Sequence, residues 1–221
     1  MRYNGLQLVI RLAVRKLDAP LLTRYQDALV LGAIREDIVY LPRTKKIHEH
    51  WSLSHFSGRY LGGGFIPFVT ASAPRKAQAY FDQALKAWRD GQQARAFVQL
   101  GMASHLLIDM ACPVHASRVA HMTDGYEWYV EANCAQLAAL PFQMARQYAS
   151  AHDAVAGLAA FTRQFRPDRS NHHWGRLLKS IGLRKTLSRA EFAAQAAQII
   201  PVAAGHLAAL YLMFLEATCP S

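Results

Sequence analysis

A run of small and apolar residues that reads as a buried helix is interrupted at 105–115, HLLIDMACPVH, by His105, Asp109 and His115. Polar and ionisable side chains inside a protein must be hydrogen-bonded, paired or bound to a metal, so any fold open to this chain must bring partners to this segment. His105 and Asp109 stand four residues apart. On a helix that spacing sets them about 40° apart in projection and one turn apart along the axis, so both side chains can reach one ion. Pro113 disfavours continuing the helix, which puts His115 where the chain turns away, within reach of an adjacent ion. Imidazole and carboxylate are ligands that zinc accepts alongside thiolate. A single His-x-x-x-Asp is more often a hydrogen-bonded structural pair; three such residues within eleven positions shift the balance towards a metal.

The remaining sequence specifies a helical setting for this segment. Apolar residues recur at helical spacing, Ala and Leu dominate, and the alternation expected of strands is almost missing, so the fold class is all-α. At 221 residues and 52% hydrophobic, the chain can bury a substantial core as one multi-helix domain spanning 1–221. Helices are predicted at about 5–17, 20–35, 74–90, 93–111, 125–149, 151–165 and 188–217. Pro74 suits a first helical position and Gly91 the residue just past a helix end. Ser188 and Glu191 form a capping-box pattern, flanked by Leu187 and Phe192 as a hydrophobic staple. Residues 36–73 and 166–186 read as long irregular segments; the first holds YLGGGFIPF, a tight loop, and the second holds His172 and His173, read as surface residues.

Composition narrows the partners without choosing one. A net charge of +10 and a pI near 9.8 suit an anionic partner, whether phosphodiester, lipid surface or nucleic acid. Three cysteines, Cys112, Cys134 and Cys219, are an odd number at no framework spacing, which excludes a disulfide scaffold. The first eighteen residues are interrupted by Arg11 and Arg15 and lack a cleavage site, so they read as an amphipathic helix and not a signal peptide. As the sequence stands it is expected in the cytoplasm, and in a secreted protein if an upstream segment precedes it. The apolar run Ile199 to Leu215 is read as a buried helix.

Residues 65–119 resemble the heart of the bacterial zinc-dependent phospholipase C family, which is similar in fold to the single-strand-specific zinc nucleases. The resemblance rests on Ile66-Pro67-Phe68, then a helix, a short link, and a helix ending in His105, Asp109, Pro113 and His115. Upstream, Ser54-His55-Phe56 and Asp37 match further family positions, and downstream Tyr126-Glu127 match a pair on the following helix. The C-terminal VAAGHLAALYLMF is similar to the family's last helix.

The resemblance implies one to three zinc ions in a cleft between helices, acting on the phosphate of a phosphodiester. Asp37, His55, His105 and Asp109 would complete one site, with His115 and Glu127 in a second. The family's second site also takes a His four residues before the Glu; Thr123 stands there, and His121 is the nearby substitute. Asp124 and Glu127 also match a helix-capping box. The third family site uses an N-terminal Trp and a nearby His, whereas the first His here is His48 and the first Trp is Trp51. Asp37 would be both ligand and the base that orients the attacking water. The implied substrate is a phospholipid or another phosphodiester, with an anionic membrane surface as a partner and nucleic acid ranked lower. Two alternatives stand beside it: a degenerate, non-catalytic zinc protein that binds a membrane or partner, and a single-strand nuclease.

Overall fold

The computed structural model describes residues 1–36, 38–41, 46–49, 61–62, 68–69, 71–119, 124–145, 147–168 and 187–219. Ten helices are found among these residues: α1 (Tyr3–Leu17), α2 (Pro20–Arg24), α3 (Gln26–Arg35), α4 (Ala73–Arg89), α5 (Gln93–Asp109), α6 (Pro113–Ala116), α7 (Gly125–Ala132), α8 (Cys134–Ala138), α9 (Ala151–Thr162) and α10 (Arg189–Thr218). Two short antiparallel pairs, Ile38–Leu41 with Lys46–Glu49 and Leu61–Gly62 with Phe68–Val69, lie within the stretch expected to be irregular. The fold class is all-α, as expected.

Helix α5 is the axis of the molecule. It packs against α3 and α4, and its last two turns, from Ala103 to Asp109, are buried without interruption. The α3–α5 crossing is backbone on backbone. A Cβ placed on Gly32 would meet the carbonyl oxygen of Val98 at 2.0 Å, and one on Gly101 would meet that of Leu29 at 2.2 Å. Only glycine permits that approach, and it carries the end of α3 up to the His105 turn of α5. At the other end of α5, Phe97 stacks on Tyr25 and meets the edges or faces of Trp88 and Phe214, tying the α2–α3 junction, α4, α5 and α10 into one aromatic cluster.

Helix α10 is long and apolar enough to cross a membrane by length and composition, yet most of that stretch is buried against the other helices, α1 and α9 foremost. Its start is the expected capping box: Ser188 Oγ accepts from the Glu191 N–H and Glu191 returns a bond to the Ser188 N–H. Gly91 has the left-handed φ of 75° expected just past the end of α4.

Three helical expectations are corrected. The 20–35 segment breaks at Tyr25, whose φ of −107° and ψ of 18° are not helical, into α2 and α3. The 125–149 segment is helical only to Ala138, because Asn133 (φ −121°) breaks it and Pro141 follows within three residues of the end. Pro113, which stops α5 as expected, also opens the extra turn α6.

Candidate metal centre

The last turn of α5 places His105 and Asp109 side by side in the core, both fully buried. His105 Nδ1 lies 2.8 Å from the carbonyl oxygen of Ala33 at the end of α3. A carbonyl only accepts, so Nδ1 carries the hydrogen and a neutral ring presents its lone pair at Nε2. That atom faces Asp109 Oδ2 at 3.1 Å. A lone pair set against a buried carboxylate is repulsive unless a proton or a metal cation lies between them. The carbonyl contact is also the arrangement that orients a metal-ligating imidazole.

The other oxygen of Asp109 meets a second cation. The α-amine of Met1 lies 2.5 Å from Asp109 Oδ1 and 2.9 Å from Glu127 Oε1, so a single ammonium joins α5 to α7. Glu127 Oε1 is in turn 3.5 Å from His115 Nε2 on α6. Burial pushes both carboxyls upward, but neighbouring positive charge prevails. With a proton in the place between His105 Nε2 and Asp109, His105, the Met1 amine and His115 hold Asp109 well below the usual carboxylate range, and the amine and His115 hold Glu127 below its own.

Local sequence explains how α6 and α7 deliver these groups. Cys112 sits in extended conformation, φ −96° and ψ 119°, as the residue before Pro113 must. Its Sγ donates to Asp124 Oδ2 at 2.9 Å, while Asp124 Oδ1 caps α7 by accepting from the Tyr126 N–H. The capping function thus falls to Asp124, and the Glu127 side chain is directed to Met1 and His115. Burial and the charge of Glu127 push the Asp124 carboxyl up to about 6. Burial, with Asp124 and Glu127 adding to it, pushes the Cys112 thiol well above its ordinary value.

Four of the residues singled out in the sequence, His105, Asp109, His115 and Glu127, therefore converge on one buried centre. Asp37, His55 and His121 lie outside the described residues. Cys112 was passed over: its Sγ, a His115 ring nitrogen and a Glu127 carboxylate oxygen all lie within 4.8 Å of one another, a set that could hold a metal ion. The signal available was its place three residues before His115, which the proline turn converts into proximity. An ammonium accepted between two carboxylates, beside an imidazole whose Nε2 faces one of them, fits this donor set to a divalent cation.

The profile of the family described as zinc dependent phospholipase C matches residues 6–177. The chain belongs to the zinc-dependent phospholipase C family. Its fold is that of two solved structures. Alpha toxin from Clostridium absonum matches with a TM-score of 0.67 at 15% identity, covering 100% of this chain and 67% of the toxin. Clostridium perfringens alpha-toxin from avian strain SWCP matches with a TM-score of 0.56 at 14% identity, covering 99% of this chain and 64% of the toxin. No curated protein matches this chain. Zinc is the metal that the family's description names.

Proposed function

We propose that this chain is a zinc-dependent hydrolase of phosphodiesters whose substrates are phospholipids. One observation carries the reading: two carboxylates and two imidazoles from α5, α6 and α7, of which His105 and Asp109 are fully buried and His115 and Glu127 partly so, gather around a positive charge at the end of an otherwise apolar helix. Such a cluster is costly to bury and gives little net stability in return, so a binding role accounts for it better than a structural one.

When bound, zinc would supply a nucleophilic hydroxide at neutral pH and stabilise charge on the phosphoryl oxygens. The residues of the chain have distinct tasks around it. His105 and Asp109 would hold one ion, with the Ala33 carbonyl fixing the imidazole so that Nε2 faces Asp109. By the resemblance, Asp37 and His55, which lie outside the described residues, would complete that ligand set, with Asp37 as the base that would orient the attacking water. His115 and Glu127, 3.5 Å apart, would hold a second ion. Asp109 lies between His105 and the Met1 amine that Glu127 also touches, so its two oxygens would serve both positions. Next to Glu127, Trp128 is 52% exposed and lies under the Arg2 guanidinium at 3.5 Å from its ring centroid. An amphipathic ring paired with a cation suits the headgroup region of a lipid surface, which supports phospholipid over nucleic acid as substrate.

The test is zinc stoichiometry by elemental analysis of the purified chain, with hydrolysis of a chromogenic phosphodiester and of phospholipid vesicles before and after chelation. Zinc bound and turnover that chelation abolishes and zinc restores is the expected result. Zinc without turnover on either substrate would replace the hydrolase with a non-catalytic zinc protein, and a chain that binds no zinc would overturn both.

A further inference from the structure

We propose that Cys112 is a thiolate ligand of the ion held by His115 and Glu127, making the second metal position a mixed sulfur, nitrogen and oxygen site. This rests on the reading that the chain binds zinc. The three donor atoms lie within 4.8 Å of one another. Donors at tetrahedral angles on one zinc, with bonds of about 2.0–2.3 Å, are about 3.4–3.6 Å apart. The 3.5 Å between His115 Nε2 and Glu127 Oε1 already has that separation, so the sulfur need close only a small remaining gap.

A buried cysteine is usually a small apolar filler. Cys112 is fully buried, but its sulfur is not in apolar surroundings: it contacts the Asp124 carboxylate at 2.9 Å and faces the imidazole and carboxylate of its two partners. The backbone directs it there, because Pro113 holds residue 112 extended and starts the turn that returns His115 to the same side. The same position tolerates positive charge, as the Met1 ammonium 2.9 Å from Glu127 Oε1 shows. Coordination breaks the S–H bond and forms the S–metal bond. The proton passes to the Asp124 oxygen that already accepts the thiol hydrogen bond, and from there to solvent. A sulfur ligand biases the site towards zinc and away from magnesium and calcium, which prefer oxygen.

Cobalt(II) substituted into the full chain reports a thiolate ligand directly, as a sulfur-to-cobalt charge-transfer band in the near ultraviolet. The chain has three cysteines. The Cys134→Ser/Cys219→Ser double variant therefore leaves Cys112 as the one thiol, and the band is expected to persist undiminished in it. In Cys112→Ser the band should vanish and bound metal should fall by one equivalent, with the far-ultraviolet circular dichroism unchanged. The double variant decides the matter even if Cys112→Ser fails to fold. Cobalt bound with visible ligand-field bands and no charge-transfer band would overturn the role of Cys112 and leave the zinc reading intact. No cobalt or zinc bound at all would overturn both.

Discussion

His105 Nε2 faces Asp109 Oδ2 at 3.1 Å, one helical turn away, with both side chains closed off from solvent. The pair depends on a third group, the Ala33 carbonyl on the neighbouring helix, which occupies Nδ1 and turns the lone pair towards the carboxylate. Helix α3 thus settles the chemistry of a residue on α5, and a pair that sequence spacing leaves ambiguous becomes a metal-competent one.

Replacing His105 with Ala should remove the metal that this pair holds. It also leaves Asp109 with a lost partner in the core, a change that costs about 3–5 kcal/mol for a broken buried pair. Elemental analysis and urea unfolding of the same preparation separate the two effects. Full zinc occupancy in the variant would rule the pair out as ligands.

The crossing of α3 and α5 should be as sensitive as the ligands themselves. In Gly101→Ala the new Cβ would lie 2.2 Å from the Leu29 carbonyl oxygen, so the two helices must separate. Overpacking of this kind costs about 1–3 kcal/mol. Because the same helix pair aligns Ala33 with His105, zinc affinity should weaken alongside stability, although no ligand has been altered. Isothermal titration with zinc checks this, and unchanged affinity in a destabilised variant would uncouple the crossing from the site.

Much of this arrangement is legible in the chain itself. The period of apolar residues gives the all-α class, the Ser188–Glu191 pattern gives the start of α10, and Gly91 gives the end of α4. The stretch from His105 to His115 points to the site because polar side chains in an apolar run need partners. Other features arise only in three dimensions. Nothing local distinguishes Gly32 and Gly101 from ordinary helix-weakening glycines until α3 and α5 are laid across each other. The meeting of Met1 with Asp109 and Glu127 joins groups more than a hundred residues apart in sequence. The sequence marks Cys112 only by its place three residues before His115, and its proximity to Glu127 on α7 arises in three dimensions.

Removing Ser188 from the start of α10 offers a control that leaves the centre untouched. Ser188→Ala deletes the oxygen that accepts from the Glu191 N–H and breaks the reciprocal box. The expected loss is about 1 kcal/mol of stability with zinc content and hydrolysis unchanged. Thermal unfolding of metal-loaded protein measures it, and a loss of zinc in this variant would mean that the α10 start reaches the metal centre.

The buried carboxyls give the metal-free protein two opposed dependences on pH. Asp109 and Glu127, held below their unfolded values of 3.8 and 4.5, add stability that is present above those values and is lost as pH falls through the folded ones. Asp124 has the opposite sign. Its folded value near 6 lies above the unfolded 3.8, so its contribution is fully present below 3.8 and is lost as pH rises through about 6. At about 1.4 kcal/mol per pH unit that loss approaches about 3 kcal/mol at neutral pH. Asp124→Asn keeps a side chain able to cap α7 and removes the titration. The stability of the chelated variant relative to the chelated parent should therefore rise between pH 4 and pH 7, read as a growing difference in urea midpoint. A difference that stays constant across that interval would show that Asp124 does not titrate there and that its burial beside Glu127 carries no such cost.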